Sequence, residues 1–301
     1  MKAIVGYTGF VGSNIYEKGD FDCAYNSKNI EQAYGSRPDL MVYAGLRAEK
    51  YLANNDPEKD MEQIRLAQEN IRKISPKQLV LISTVDVFKN PFGVDENTPV
   101  DTENLHAYGL NRFKLECWVR ENYPDALIVR LPALFGKNIK KNFIYDYINV
   151  IPFMLKPEKA EELKVTNYYE LQSNGFYRLK DDAPKEELKL YFKKAGFTAL
   201  NFTHSGSRFQ FYPLSRLWDD IQTALSHGIR LQHMATEPIF AGELYEYLSG
   251  EPFVNELAGK PANYDFRTVN NAVYGGEKGY ILDKKTVAEA ISAFVLEESS
   301  L

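Results

Sequence analysis

Short apolar runs bounded by Gly, Pro, Asn or Asp alternate with longer amphipathic stretches through the first 136 positions of the chain. The runs cover 2–7, 23–26, 40–44, 78–83 and 126–130, each with the length and apolar content of a strand buried on both faces. Between two of them, Pro57–Ile74 sets Met61, Ile64, Ala67, Ile71 and Ile74 on one helical stripe, with Pro57 suited to the first turn. A second helical pattern, 108–122, carries Leu110, Phe113, Cys117 and Trp118 and is stopped by Pro124. Strand–helix alternation of this kind predicts a parallel sheet with crossover helices, a doubly wound α/β fold.

The rhythm changes after Gly136. Residues 138–207 are rich in Lys, Glu and aromatics and show no clean strand–helix repeat. One helix is legible there, with Asp182 as cap, Pro184 in the first turn, 188–195 as body and Gly196 as stop. Regular pattern returns with strands at 209–212 and 231–235 and helices at 215–226, 242–249 and 284–297. The expected plan is a sheet domain over 1–136, with segments rejoining it after about 209. Residues 137–301 then form mainly a smaller, aromatic-rich unit containing the insertion at about 138–207. Its aromatics can stack on a ligand or build a second core, and a second core is the commoner use.

Composition narrows the class. A chain of 301 residues buries roughly 75% of its unfolded surface and needs no covalent staples. Cys23 and Cys117, the two cysteines, cannot form a disulfide framework or a zinc site by themselves, which points to a reducing compartment. The four histidines are too dispersed for metal-ligand spacing, so no metal is expected. A net charge of −5 argues against a nucleic-acid partner. No apolar run approaches the roughly 20 residues of a membrane span. Met1-Lys2 runs straight into the first strand without a leader pattern, so a cytoplasmic location is expected.

Four segments carry candidate chemistry. Gly6-Tyr7-Thr8-Gly9-Phe10-Val11-Gly12 lies between the first strand and a helix. Glycines there permit a tight turn and let backbone N–H groups approach a pyrophosphate at the positive end of the helix. The strand Leu81-Ile82-Ser83-Thr84 emerges into hydroxyl residues, and Asp86 follows as a possible extra acid. Ala107-Tyr108-Gly109-Leu110-Asn111-Arg112 opens a helix with its tyrosine 24 positions after Thr84. Arg130-Leu131-Pro132-Ala133-Leu134-Phe135-Gly136 closes the set. Each taken singly has an ordinary structural reading as turn, cap or strand end. Arg208, Arg216 and Arg267 are suited to a diphosphate by chemical type alone.

In their order and spacing these segments resemble the extended short-chain dehydrogenase/reductase family, the NAD(P)-dependent nucleotide-sugar epimerases, dehydratases and reductases. The resemblance covers nearly the whole chain and implies a Rossmann-like coenzyme domain. It implies that Tyr108 exchanges a proton during hydride transfer and that Thr84 hydrogen-bonds the substrate oxygen. The coenzyme is then expected against Gly6, Thr8, Gly9, Phe10, Val11, Gly12, Asn26, Ser27, Lys28, Ala44, Gly45, Ser83, Tyr108, Arg112 and Leu131. The resemblance also implies that the segment after Gly136 holds the nucleotide sugar, and that the helices matching Pro57–Ile74 and 108–122 can pair two copies as a homodimer, though their stripes are equally suited to burial against the sheet.

One departure stands out. The family pattern is Tyr-x-x-x-Lys, and this chain has Arg112 in the lysine place. An arginine one turn from Tyr108 keeps a cation on the same helix face, from which it is expected to hold the coenzyme ribose and lower the phenol pKa. A planar guanidinium nevertheless does not replace a compact ammonium between two hydroxyls. An impaired, NAD(P)-binding sensor or partner protein is therefore the alternative to an enzyme. At the end of the second strand, Asn26-Ser27-Lys28 offers no acid to an adenosine ribose before Glu31, which leans towards NADP over NAD.

Overall fold

A computed structural model describes residues 1–299. The chain divides into two compact units: one of Met1–Ile139, Arg208–Ile239 and Asn263–Ala290, the other of Lys140–Ser207, Phe240–Ala262 and the C-terminal remainder.

The first unit holds β1 (Lys2–Val5), α1 (Phe10–Lys18), β2 (Cys23–Tyr25), β3 (Leu40–Tyr43), α2 (Lys50–Asn55) and α3 (Pro57–Ile74). It continues with β4 (Gln78–Thr84), α4 (Ala107–Asn122), β5 (Leu127–Leu131) and β6 (Ala133–Phe135). Its main sheet has six strands, all parallel, in the order β2, β1, β3, β4, β5 and Leu231–His233. The chain thus starts in the middle, adds β2 on one side and then winds the other way. The reversal falls between β1 and β3, and ligands of open α/β sheets bind outside the carboxyl ends of the strands at such a point.

Alternation along each strand explains why both faces are covered. Ala3, Val5, Met41, Tyr43, Leu79, Leu81 and Ile128 point to one face, where Ile64, Ala67 and Ile71 of α3 and Leu115 and Val119 of α4 cover them. Ile4, Val42, Val80, Leu127 and Val129 point to the other, against Ile15 of α1 and Leu217 and Ile221 of the helix Leu217–Ser226. Strands buried on both sides must be continuously apolar, which is why the sequence shows runs and not alternation there. The stripe of α3 is accordingly turned to the sheet, whereas α4 turns Leu115 and Val119 there and leaves the expected stripe of Leu110, Phe113, Cys117 and Trp118 half-buried.

The later elements differ in detail from the sequence pattern. A single strand over 209–212 is expected; the structure has two short ones, Arg208–Phe209 and Phe211–Pro213. Gln210 causes the break. Its buried side chain donates to the carbonyls of Thr236 and Phe266 and accepts from the Phe266 N–H, doing for its neighbours what a strand ladder would do. The following helix begins as a 3₁₀ turn, Leu214–Arg216, before Leu217–Ser226.

The second unit contains a three-stranded antiparallel sheet of Met154–Leu155, Tyr177–Leu179 and Tyr169–Leu171. The helix Lys185–Ala195 has Pro184 at its cap position and Gly196 in the left-handed conformation as its stop. Tyr169 and Phe192 are buried in a core with Val150, Ile151, Leu155, Leu163, Val165 and Leu188. Tyr168, Tyr177 and Phe197 pack against this core partly buried, whereas Phe153, Phe176, Tyr191 and Phe202 are exposed. No helix among the described residues is long and apolar enough to cross a membrane.

Candidate active site

At the carboxyl end of β1, Gly6 has φ +91°, a conformation open to glycine at little cost. A Cβ on Gly6 would lie 2.5 Å from the Ala44 carbonyl oxygen, and one on Gly12 would lie 2.1 Å from the carbonyl oxygen of Gly6. These two glycines let the turn, α1 and the end of β3 close on one another. Gly9 differs: its Cβ would meet only the Gly6 oxygen, at 3.3 Å. Gly9 caps α1 with no side-chain hydrogen bond, and the first turn carries no acid. The positive end of α1 is thus left without a protein counter-charge, in a turn whose exposed middle has no side-chain bulk at Gly9. This arrangement fits a bound pyrophosphate. Thr8 is exposed beside it, whereas Phe10 and Val11 turn partly into the core.

The end of β2 folds into a polar turn, with Asn29 Oδ1 accepting from the Asn26 N–H at 2.7 Å and Asn26 Oδ1 accepting from the Lys28 N–H at 2.9 Å. Ser27 and Lys28 are exposed on it. Gly45, following Ala44 beyond β3, is exposed at the same end of the sheet.

Two strands further along, Thr84 ends β4 and Tyr108 opens α4. The Thr84 hydroxyl accepts from the Asp86 N–H at 3.1 Å, and the Thr84 side chain favours the ionised form of the Tyr108 phenol. Tyr108 is held from several directions. Its own N–H donates to Asn54 Oδ1 at 3.0 Å, and the next N–H, of Gly109, donates to His106 Nδ1 at 3.0 Å. Gly109 lies so close to the chain after β4 that a Cβ there would come within 2.1 Å of the Asp86 carbonyl oxygen. His106 is thus the N-cap of α4. Its imidazole pKa is lowered, by burial first and then by the Lys50 cation.

Arg112 is where the expectation fails. Its side chain is only 5% exposed and forms an ion pair with Asp60 of α3. It also donates to the Arg47 carbonyl oxygen at 2.8 Å and to that of Tyr108 at 3.3 Å. The guanidinium carbon lies 3.9 Å from the centre of the Tyr108 ring. Arg112 is therefore a clamp behind the tyrosine, not a cation open to a ribose. Nor does it make the phenol acidic. Burial raises the Tyr108 pKa above its ordinary value, and Arg112 only partly opposes this while Asp86 and Asp60 add to it.

Ser83 and Leu131 turn away from the crevice. Leu131 packs in the core, and the Ser83 hydroxyl donates to Glu116 Oε1 at 2.6 Å. Glu116 is fully buried and takes Arg130 in a bidentate pair, at 3.0 and 2.6 Å. Arg130 also contacts His233 Nε2 at 3.2 Å, and His233 Nδ1 lies 2.9 Å from the Arg267 carbonyl oxygen. An arginine can only donate, so Nε2 accepts and Nδ1 carries the proton. Burial and the Arg130 charge push the His233 pKa down to about 3. Glu116 and His233 are not singled out by the sequence, where a Glu inside a helix carries no mark of its pairing.

The arginines assigned to a diphosphate by chemical type have protein partners. Arg216 pairs with Asp220 at 3.1 Å, and Arg208 and Arg267 each lie 3.6 Å from Asp265. Among the described residues, no cluster of three or more His, Cys, Asp or Glu is arranged to hold a metal ion.

Neither a protein-family model nor a curated protein matches the chain. Solved structures do. The dTDP-4-dehydrorhamnose reductase of Bacillus anthracis, solved with NADP, aligns with a TM-score of 0.63 at 16% identity, over 98% of this chain and 97% of its own. The Bordetella bronchiseptica enzyme WbmG, solved with NAD and UDP, gives 0.67 at 14% identity, over 99% and 94%. The UDP-N-acetylglucosamine 4-epimerase of Methanobrevibacter ruminantium gives 0.61 at 11%, over 98% and 96%. The chain has the fold of these nucleotide-sugar enzymes. The likeness runs almost from end to end.

Proposed function

We propose that the protein is an NAD(P)-dependent reductase or epimerase acting on a nucleotide sugar, with Tyr108 as its proton carrier and Thr84 orienting the reacting oxygen. The observation that carries this reading is that Thr84, ending β4, and Tyr108, opening α4 where Gly109 packs against the Asp86 carbonyl oxygen, lie at the same strand ends as the open glycine turn of a coenzyme-binding fold. The backbone from Gly9 into α1 would hold the pyrophosphate, and Gly45 and the turn at Asn26, Ser27 and Lys28 would flank the adenosine. Lys28 supports a 2′-phosphate, hence NADP.

A bound nicotinamide supplies hydride chemistry. The rest falls to the chain's own groups. Burial keeps the Tyr108 phenol protonated at neutral pH, so in the reductive direction it is ready to give its proton to the sugar oxygen. Thr84 donates a second hydrogen bond to that oxygen. In the oxidative direction the phenol must first lose its proton, a step the Arg112 cation behind the ring favours.

Tyr108→Phe is expected to lower turnover by about 10²–10⁴-fold while NADPH affinity stays within about threefold, read by nicotinamide fluorescence. Undiminished turnover in that variant overturns the assignment of Tyr108, and a wild-type protein that binds neither NADPH nor NADH overturns the coenzyme reading. The locked Arg112 supports a second reading, a coenzyme-binding protein without turnover. Tight NADPH binding with no reduction of any nucleotide-4-ketosugar would select it.

A further inference from the structure

Helix α2 and the loop before it are fastened to the Tyr108 neighbourhood at three points. Arg112 donates to the Arg47 carbonyl oxygen at 2.8 Å, the Tyr108 N–H donates to Asn54 at 3.0 Å, and Lys50 Nζ lies 3.0 Å from Asp86 Oδ1. The first two are part of a buried frame. Arg112 is nearly sealed and has three acceptors, so giving them up for a ligand would strand Asp60 as a buried, unpaired carboxylate. The third is of another kind. Lys50 is 41% exposed and holds one ion pair with a carboxylate that is itself 20% exposed, the sort of contact that exchanges for a ligand at little cost.

The position of that ammonium is specific. Asp86 follows Thr84 by two residues and gives its N–H to the Thr84 hydroxyl, and its carbonyl oxygen packs against Gly109, the residue after Tyr108. The Tyr264 hydroxyl donates to the same Asp86 oxygen at 3.4 Å. Lys50 therefore reaches the carboxylate that adjoins Thr84 and the start of α4 on a four-carbon stem, with three rotatable donors and one replaceable partner.

We propose that Lys50 is a ligand-binding residue of this site, its ammonium turning from Asp86 to hydrogen-bond a pair of neighbouring hydroxyl groups on the molecule beside Tyr108. This deepens the function proposed above and rests on it. A vicinal diol can come from two sources, the nicotinamide ribose of the coenzyme or the sugar ring of the substrate, and the test separates them.

Wild type, Lys50→Met and Lys50→Arg are titrated first with NADPH alone, by fluorescence. They are then titrated with dTDP-glucose on protein saturated with NADP⁺, by calorimetry, and unfolding midpoints are recorded for all three. Lys50→Met is expected to weaken one ligand tenfold or more and the other less than twofold, at an unchanged midpoint, with Lys50→Arg recovering at least threefold. Weakening of NADPH assigns the ribose, and weakening of dTDP-glucose alone assigns the sugar ring. Unchanged NADPH affinity with no dependence of dTDP-glucose binding on position 50 overturns the proposal. So does an equal loss for both ligands accompanied by a lowered midpoint, which marks α2 as a structural strap. If wild type binds neither NADPH nor NADH, the proposed function falls first and this inference with it; wild-type binding that is indifferent to position 50 removes this inference alone.

Discussion

The two ends of the crevice are built from opposite materials. At the turn after β1 the working surface is backbone: Gly6 and Gly12 allow close packing, Gly9 keeps the helix end bare, and no side chain caps it. At the start of α4 the working groups are side chains, and Thr84, Tyr108 and Arg112 are held by Asn54, Asp60, His106 and the Arg47 carbonyl, drawn from several separate segments. A backbone surface can be achieved by leaving atoms out, within one short peptide. A side-chain surface has to be assembled across the fold, and each group is only as well placed as those behind it.

Breaking the assembled end at its deepest point is expected to cost the most. Glu116→Ala leaves the Arg130 guanidinium buried without its carboxylate, and removal of one partner from such a pair destabilises by about 3–5 kcal/mol. Denaturant unfolding measures it, and a loss below 1 kcal/mol would mean that the interior network is not what supports the end of β4.

The backbone end is probed by two alanines with unlike consequences. Gly12→Ala pushes a methyl group to 2.1 Å from the Gly6 oxygen, so the turn must move, and coenzyme affinity is expected to fall by about 100-fold. Gly9→Ala meets only one atom, at 3.3 Å, so the unfolding midpoint should hold while coenzyme binding weakens. Equal effects of the two on stability would erase the distinction between packing glycine and binding glycine.

The smallest expected effect concerns pH and His233. Its folded pKa of about 3 lies below the ordinary imidazole value, so the folded protein holds it neutral where the unfolded chain binds a proton. The stabilisation is complete above about pH 6.5 and is lost progressively as pH falls towards 3, at up to about 1.4 kcal/mol per pH unit. Unfolding measured at pH 7 and pH 5 should therefore differ by about 2 kcal/mol. A stability unchanged over that interval would show that His233 is not sealed beside Arg130.

The same contrast explains how much was legible in the sequence. The sheet announced itself, because strands covered on both faces have to be apolar throughout, and the strands read at 2–7, 23–26, 40–44, 78–83 and 126–130 are found within about two residues at each end. The helix Pro57–Ile74 is found with the same bounds, its cap Asp56 accepting from the Lys59 N–H. Gly6, Gly9 and Gly12 were visible because backbone demands write themselves as glycine. Arg112 was legible as a residue and misread as a role, since nothing near position 112 announces an aspartate fifty-two residues earlier. Helix α2, six residues long, was missed altogether, too short to display a period and held mainly by contacts distant in sequence.

Asp60 accepts from both Asn111 and Arg112, so one carboxylate on α3 serves two consecutive residues of α4. Substituting lysine at 112 would keep a positive charge near Asp60 but vacate the Arg47 carbonyl and lift the flat cation off the tyrosine ring. Asp60, Asn111, Arg112 and the Arg47 carbonyl thus form a single lock. An engineer placing an ammonium at position 112 would have to supply a new donor for the Arg47 carbonyl in the same step, since that acceptor belongs to the main chain and no substitution at 47 removes it.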